Sequence, residues 1–207
     1  MFFLPNLLLD DPLTFVLLVV PLLYSIVIHE LAHGWVAYIM GDSTAKNRGR
    51  LTLNPIKHLD PIGTIALFIA GFGWAKPVPV NTYALRNGRR GFIAVAAAGV
   101  VANIIFAFLA LLAFQLLAPA PGTSVAKFLF YLANINLILA AFNLIPIPPL
   151  DGSKILMVFL PPRIQYQFYR VEPYGFFVII ALVMLGVLWP VINLFRSIIL
   201  GVITFFL

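Results

Sequence analysis

Long runs of apolar residues constrain this chain more than any other feature, because a helix needs about 20 such residues to cross a membrane. The runs that reach this length or come close to it are residues 13–40, 91–117, 126–150 and 174–189. Only 10% of the residues are charged and 62% are hydrophobic, whereas about 25% are charged in soluble domains. The sequence therefore predicts an all-α polytopic membrane protein, a bundle of about four to six transmembrane helices.

Two further apolar runs do not fit an ordinary membrane span. Residues 191–207 include Arg196, and an unpaired arginine in mid-membrane is costly. We expect this run to lie at the interface, or to cross with Arg196 near its exterior end. Residues 62–74 are too few and too rich in glycine for a span, and we expect a re-entrant segment or hairpin there. Residues 43–54 are small, basic or β-tolerant and predict a strand or hairpin at the membrane surface.

Basic residues indicate which loops face the cytoplasm, because Lys and Arg accumulate there. The chain has 13 basic and seven acidic residues, a formal net charge of +6. The loops on both sides of residues 62–74 are basic, so this run is predicted to enter and leave on the cytoplasmic side. The N-terminus, with Asp10 and Asp11, is predicted to be exterior. The bases form no stripe on a soluble face, so we expect no nucleic-acid partner.

The first apolar run contains three ionisable residues, His29, Glu30 and His33. Such residues are costly within a span, so they indicate function. Residues four apart share a helix face, so His29 and His33 can bind one metal ion, with Glu30 placed to polarise a metal-bound water. This is the HExxH pattern of zinc proteases. The alternative is that the two histidines are structural and that Glu30 is protonated or paired. In that case nothing offsets the free-energy cost of burying the three polar side chains.

A catalytic zinc site uses three protein ligands and one open position. The chain has no cysteine, so the third ligand is sought among His58, Asp10, Asp11, Asp42, Asp60, Asp151 and Glu172. Asp151 fits best by depth, since the first and third long runs both pass from outside to inside and end near the zinc pair. Three prolines within residues 146–149 break the helix just before it. Asp151 as a cap of the next helix is the competing interpretation.

The other polar residues have simpler interpretations. We expect His58 to be a loop residue near the headgroups, with contact to substrate or to a zinc ligand as the alternative. Asp42 is expected to be solvated at a helix end, and Asp60 to form a turn or cap. Gly99 and Asn103, one helical turn apart, predict a close helix contact with a hydrogen-bonding partner.

Taken together, these motifs resemble those of the site-2 proteases, polytopic zinc metalloproteases that cleave the transmembrane segments of other proteins. The resemblance covers most of residues 20–160 in the family's order. It rests on the HExxH helix, N-P-I-K-H-L-D-P-I-G at 54–63, the G-x-x-x-N pair of Gly99 and Asn103, and N-x-x-P-x-P-P-L-D-G at 143–152. It implies one Zn²⁺ per chain with Asp151 as the third ligand. It also implies that Asn143 lies by the active site, where it holds substrate or stabilises an oxyanion.

The resemblance further implies regulated cleavage of membrane-anchored protein substrates in the lipid bilayer. We expect residues 1–207 to form one integral-membrane protease domain, with a catalytic core at about 13–160 and no separate soluble domain. A multi-pass protein of a prokaryotic cytoplasmic membrane, with its active site toward the cytoplasm, is the expected setting. Two alternatives stay open: a metal-ion or small-solute transporter using the same His/Glu/Asp cluster as an ion site, and a catalytically idle scaffold.

Overall fold

The structure is a computed structural model that describes residues 4–70 and 73–207. Within these ranges the chain is helical, and its only β pairing is an isolated bridge between Leu59 and Ala75. The helices are α1 (Leu4–Asp10), α2 (Pro12–Ile39), α3 (Thr44–Asn47), α4 (Pro61–Ala70), α5 (Arg89–Leu117), α6 (Ser124–Asn143), α7 (Asp151–Met157), α8 (Pro162–Met184) and α9 (Leu188–Phe206).

Four of these helices are long and apolar enough to cross a membrane, namely α2, α5, α6 and α9. The predicted fold class, an all-α polytopic bundle, is confirmed. Helix α5 packs against both α2 and α6, α2 also contacts α6, and α9 packs against α6. Alanine and glycine dominate the buried face of α5, which lets the three central helices approach closely.

Two predicted boundaries are wrong. The third long run was expected to reach residue 150, but α6 ends at Asn143 because the prolines that follow cannot continue a helix. The span expected at 174–189 does not exist as one helix: α8 begins at Pro162, its N-terminal half is polar and charged, and it ends at Met184. The span near the C-terminus is α9 instead.

Arg196 is placed differently from both predicted positions. It lies near the middle of α9, where its Nη2 donates a hydrogen bond to Asn134 Oδ1 at 2.6 Å. Asn134 lies near the middle of α6 and donates in turn to the Phe130 carbonyl of its own helix. The arginine is therefore accommodated at mid-helix by an amide partner rather than by an exposed position.

The two ends of the short run at 62–74 lie side by side, as predicted for a re-entrant segment or hairpin, and residues 71–72 lie outside the described residues. Its helix α4 has 10 residues, a length of about 15 Å, which is half of the hydrocarbon core. The chain enters and leaves side by side, since Leu59 pairs with Ala75 and the Lys76 amide donates to the His58 carbonyl at 2.8 Å. The Asp60 carboxylate caps the first turn by accepting from the Gly63 amide.

The strand predicted at 43–54 is wrong, because this segment contains α3 and turns. Asp42, expected to be solvated, is the reason: it is 1% exposed and organises the segment. Its Oδ1 accepts hydrogen bonds from the amide and hydroxyl of Thr44, and its Oδ2 accepts from the Asn81 amide at 2.7 Å. One carboxylate thus joins the end of α2 to two loops.

The pH dependence of stability tests this arrangement. Burial raises the pKa of Asp42, but the hydrogen bonds from Thr44 and Asn81 outweigh it, and the pKa is lowered overall. The stabilisation is therefore fully present above the unfolded-state pKa and is lost as the pH falls toward the folded-state value. We expect Asp42→Asn to lower the melting temperature in detergent at pH 7, with the difference from wild type shrinking toward pH 3. A difference that is constant with pH would contradict this account.

Candidate metal centre

Three side chains from two distant parts of the chain meet in the interior of the bundle. His29 and His33 come from α2, and Asp151 begins α7. Their Nε2, Nε2 and Oδ2 atoms form a triangle with sides of 3.0, 3.1 and 3.1 Å. All three residues are buried. The structure thus brings together the three residues that the sequence predicted as metal ligands.

A buried hydrogen-bond network sets the tautomer of His29. The Nδ2 of Asn136 donates to the Leu132 carbonyl, which can only accept, so Asn136 Oδ1 faces Asn103. Asn103 Nδ2 therefore donates to Asn136 at 2.7 Å, and its Oδ1 lies 2.6 Å from Nδ1 of His29. Because an amide oxygen only accepts, His29 Nδ1 carries the proton. Its Nε2 is then left with a free lone pair.

His33 is held in the same tautomer by the backbone. Its Nδ1 lies 2.7 Å from the carbonyl oxygen of Val95 on α5, which can only accept a hydrogen bond. In the neutral imidazole its Nε2 is therefore also the unprotonated nitrogen, and it lies 3.0 Å from Asp151 Oδ2. This use of the second ring nitrogen is how proteins orient metal-binding histidines.

The resulting donor set fits a divalent cation. Two imidazole lone pairs and a carboxylate oxygen face one another at about 3 Å, and Asp151 Oδ2 is buried and makes no hydrogen bond. Such an arrangement is repulsive unless a cation lies between the three atoms. Tetrahedral zinc with N and O ligands would separate them by about 3.3–3.5 Å, close to what is observed. One proton could serve only one pair, so a metal ion matches the site better.

The chain around Asp151 is shaped to deliver this carboxylate. After α6 the proline-rich segment turns back, and α7 starts at Asp151 itself. Lys154 donates to Oδ1 at 3.2 Å, which leaves Oδ2 for the histidines. At Gly152 a Cβ atom would overlap the Leu144 carbonyl oxygen, so only glycine allows α7 to pack this closely against the end of α6.

Gly99 likewise allows close packing, here of α5 against the two histidine side chains. A Cβ atom built on Gly99 would overlap His33 Nε2 and would lie 2.5 Å from His29 Cε1. The close helix contact predicted for Gly99 and Asn103 therefore exists, but its partners are the imidazoles themselves. The hydrogen bonds that continue from Asn103 to Asn136 and from Asn136 to Ser25 were not predicted. The sequence did carry a signal, because Asn136 is a polar residue within an apolar run. In the structure its side chain is 0% exposed.

The metal cluster opens on a cavity of about 680 Å³. Glu30 and Asn143, the predicted catalytic residues, both line it, together with the segment from Gly73 to Val80. Glu30 Oε2 accepts a hydrogen bond from the Val78 amide at 2.8 Å, and Asn143 Nδ2 donates to the Leu139 carbonyl of its own helix. Glu172, one of the acidic residues considered as a third ligand, lines the cavity as well.

His58 does not join the cluster. Its side chain is fully buried in the protein, and its Nε2 lies 2.8 Å from the Thr52 carbonyl oxygen. Among the described residues, the only group of three or more metal-binding side chains is His29, His33 and Asp151. Direct ligation by His58 is therefore not supported by its position.

Comparison with known proteins agrees with this site. Residues 118–186, which include Asn143 and Asp151, match the model of peptidase family M50. The chain is 45% identical over 194 residues to a Bacillus subtilis protein named "Putative zinc metalloprotease YwhC", covering 88% of this chain and 89% of the relative. It is 30% identical over 149 residues to "Putative zinc metalloprotease MJ0611" of Methanocaldococcus jannaschii, covering 70% and 71%. No solved structure matches.

Gly99→Ala tests the packing around the histidines. The added methyl group would overlap both imidazoles, so we expect the variant to fold but to bind Zn²⁺ at least about tenfold more weakly, as the loss of supporting contacts does in metal sites. Gly201→Ala on α9 is the control, because nothing lies within 4 Å of its added Cβ. Zinc retention during chelator titration measures the difference. Equal affinity in both variants would show that the histidines do not depend on this gap.

Proposed function

The chain belongs to peptidase family M50, the site-2 proteases, and from this premise we propose that it is a zinc-dependent endopeptidase of membrane-anchored proteins. The proposed ligands are His29, His33 and Asp151, and the proposed general base is Glu30. We further propose that it cuts peptide bonds within or near transmembrane segments of its substrates, in regulated proteolysis. The setting is a prokaryotic cytoplasmic membrane, with the active site toward the cytoplasm.

One observation carries this proposal. The Nε2 atoms of His29 and His33 and the Oδ2 atom of Asp151 are buried and lie 3.0–3.1 Å from one another, and Glu30, the neighbour of His29 in sequence, lines the same cavity. A structural cluster would need neither the converging lone pairs nor an open space beside them. A hydrolytic site needs both, because a water and a peptide must reach the metal.

The residues divide the chemistry among themselves. Zinc, when bound, supplies Lewis-acid polarisation of a water and of the scissile carbonyl. Glu30 takes the proton of the attacking water and later delivers it to the nitrogen of the leaving amine. Asn143 lies across the cavity from α2, where its amide can donate to the substrate carbonyl once it leaves Leu139. Asn103 and Val95 hold the imidazoles in the tautomer that the metal requires.

The size of the cavity favours a peptide as the substrate. A volume of about 680 Å³ is within the usual range of ligand sites and accommodates several residues in extended conformation. A substrate helix keeps its carbonyl groups hydrogen-bonded internally, so it must unwind locally before it can be cut. The apolar setting between α2, α6 and α8 suits a segment that arrives from the membrane.

A transporter is less well supported. An ion pathway would have to continue from the cluster through the bundle, yet the polar groups next to His29 are Asn103, Asn136 and Ser25, each at most 1% exposed and hydrogen-bonded to one another. The described residues show no second acidic or histidine cluster farther along. The cluster therefore ends a cavity and does not interrupt a channel.

Glu30→Gln separates catalysis from metal binding. Glutamine preserves the size of the side chain but cannot accept the proton, so we expect activity to fall below detection while one Zn²⁺ per chain is retained. His29→Ala, His33→Ala and Asp151→Ala should lose both. Zinc analysis and cleavage of a tagged single-helix membrane protein in liposomes measure the two properties. Substantial turnover by Glu30→Gln would refute the general-base assignment, and zinc retention by Asp151→Ala would refute the ligand set.

The proposed orientation has its own test. Single cysteines at Ser43 and Asn87, both exposed, should react with a membrane-impermeant thiol reagent only from the cytoplasmic side. A cysteine at Ser124, at the start of α6, should react only from the opposite side and serves as the control. Labelling of residues 43 and 87 on opposite faces would show that residues 62–74 cross the membrane.

A further inference from the structure

The segment from Lys76 to Val80 crosses the side of α2 that carries Glu30, and its sequence Lys-Pro-Val-Pro-Val leaves it few hydrogen-bond donors. Proline has no amide hydrogen, so Val78 is the only donor among residues 77–79. Lys76 and Val78 each precede a proline, which keeps their backbone extended. We call residues 76–80 the Pro-Val-Pro segment.

Each backbone group that anchors this segment has a definite partner. The Lys76 amide donates to the His58 carbonyl at 2.8 Å, and the Lys76 carbonyl accepts from Nη2 of Arg50 at 2.7 Å. Arg50 is itself buried, at 8% exposure. The one donor between the two prolines, the Val78 amide, points to Oε2 of Glu30 at 2.8 Å. The segment is thus fixed at one end by the hairpin and at the other by the proposed catalytic base.

Packing places this amide with little freedom. The Val78 side chain is buried and lies against Gly34 of α2, where an added Cβ atom would come within 3.0 Å of Val78 Cγ1. Gly34 is one turn beyond Glu30 on the same helix. Flanking prolines, a buried side chain and a buried arginine therefore all determine where the one amide hydrogen points.

We propose that the Val78 amide positions Glu30 for catalysis, by binding Oε2 so that the other carboxylate oxygen is presented to the attacking water. The inference deepens the proposed function and rests on it. Val78 does not touch substrate in this role, and Arg50 acts through the Lys76 carbonyl. The two prolines are explained at the same time, because they remove the competing donors beside Val78 and restrict the backbone.

Two substitutions at residue 78 separate the amide from the side chain. Val78→Pro deletes the donor and keeps an extended backbone, whereas Val78→Ala keeps the donor and removes most of the side chain. A hydrogen bond to a charged group corresponds to about a 10- to 100-fold effect. We expect Val78→Pro to have a kcat at least about tenfold lower than Val78→Ala, with similar KM and with one Zn²⁺ per chain in both. The assay is cleavage of a tagged single-helix membrane protein in liposomes of phosphatidylethanolamine and phosphatidylglycerol.

Equal kcat in the two variants, or a defect confined to KM, would overturn the proposal. A purely structural role predicts a common loss of melting temperature and zinc instead. If wild type itself fails to cleave any membrane-anchored substrate, the proposed function fails, and the contact is then judged by the measurement below.

Hydrogen exchange detects the contact without relying on activity or on Val78→Pro folding. Because residues 77 and 79 are prolines, Val78 contributes the only amide at positions 77–79, and overlapping fragments separate its exchange from that of Lys76 and Val80. We expect its exchange to accelerate at least about tenfold in Glu30→Ala, with the Lys76 amide, which bonds to His58, unchanged. Arg50→Gln should also accelerate it, and Arg50→Lys should do so less. Unchanged exchange in Glu30→Ala would refute the contact, and equal acceleration of both amides would indicate general loosening.

Discussion

The approach of two imidazole Nε2 atoms and one carboxylate oxygen to within about 3 Å of one another, inside an apolar bundle, is the constraint on which the rest of the site depends. Lone pairs at this distance repel, and burial removes the water that would screen them. The surrounding structure must therefore hold them in place until a cation binds. It does so with Asn103 and the Val95 carbonyl on the far ring nitrogens, and with Lys154 on the far oxygen of Asp151.

This requirement explains why the polar residues of α2, α5 and α6 are found where three helices cross. Asn103 can orient His29 only if its own amide is oriented, which Asn136 does, and Asn136 is in turn fixed by Leu132 and Ser25. Each of these groups hydrogen-bonds to the next, so the buried side-chain amides of Asn103 and Asn136 both have partners. Gly99 then allows α5 to come close enough for the network to form.

The sequence predicted the parts of the molecule that depend on local spacing. The i, i+4 pair of His29 and His33, a bundle of about four to six helices, and a re-entrant segment or hairpin between two basic loops all follow from periodicity, length and charge. Asp151 was favoured by depth and by resemblance, and the structure brings it to the histidines.

What could not be predicted depends on tertiary packing. The local sequence predicts a solvent-exposed Asp42, but contacts that include the distant Asn81 amide bury its side chain. The prediction of a strand at 43–54 was wrong for the same reason. The boundaries of α8 and α9 were predicted wrongly because hydropathy does not show where one helix ends and the next begins.

The pairing of Arg196 with Asn134 also has a consequence for the order in which the protein is assembled. Alone in a bilayer, α9 would carry a charged guanidinium at its centre without a partner, and its insertion would be unfavourable. Its partner lies on α6, which leaves the ribosome earlier. Because synthesis proceeds from the N-terminus, α9 enters a membrane in which Asn134, the hydrogen-bond partner of Arg196, is already present on α6. We expect α6 to act as an assembly template, so that α9 gains stable residence in the bilayer only through α6.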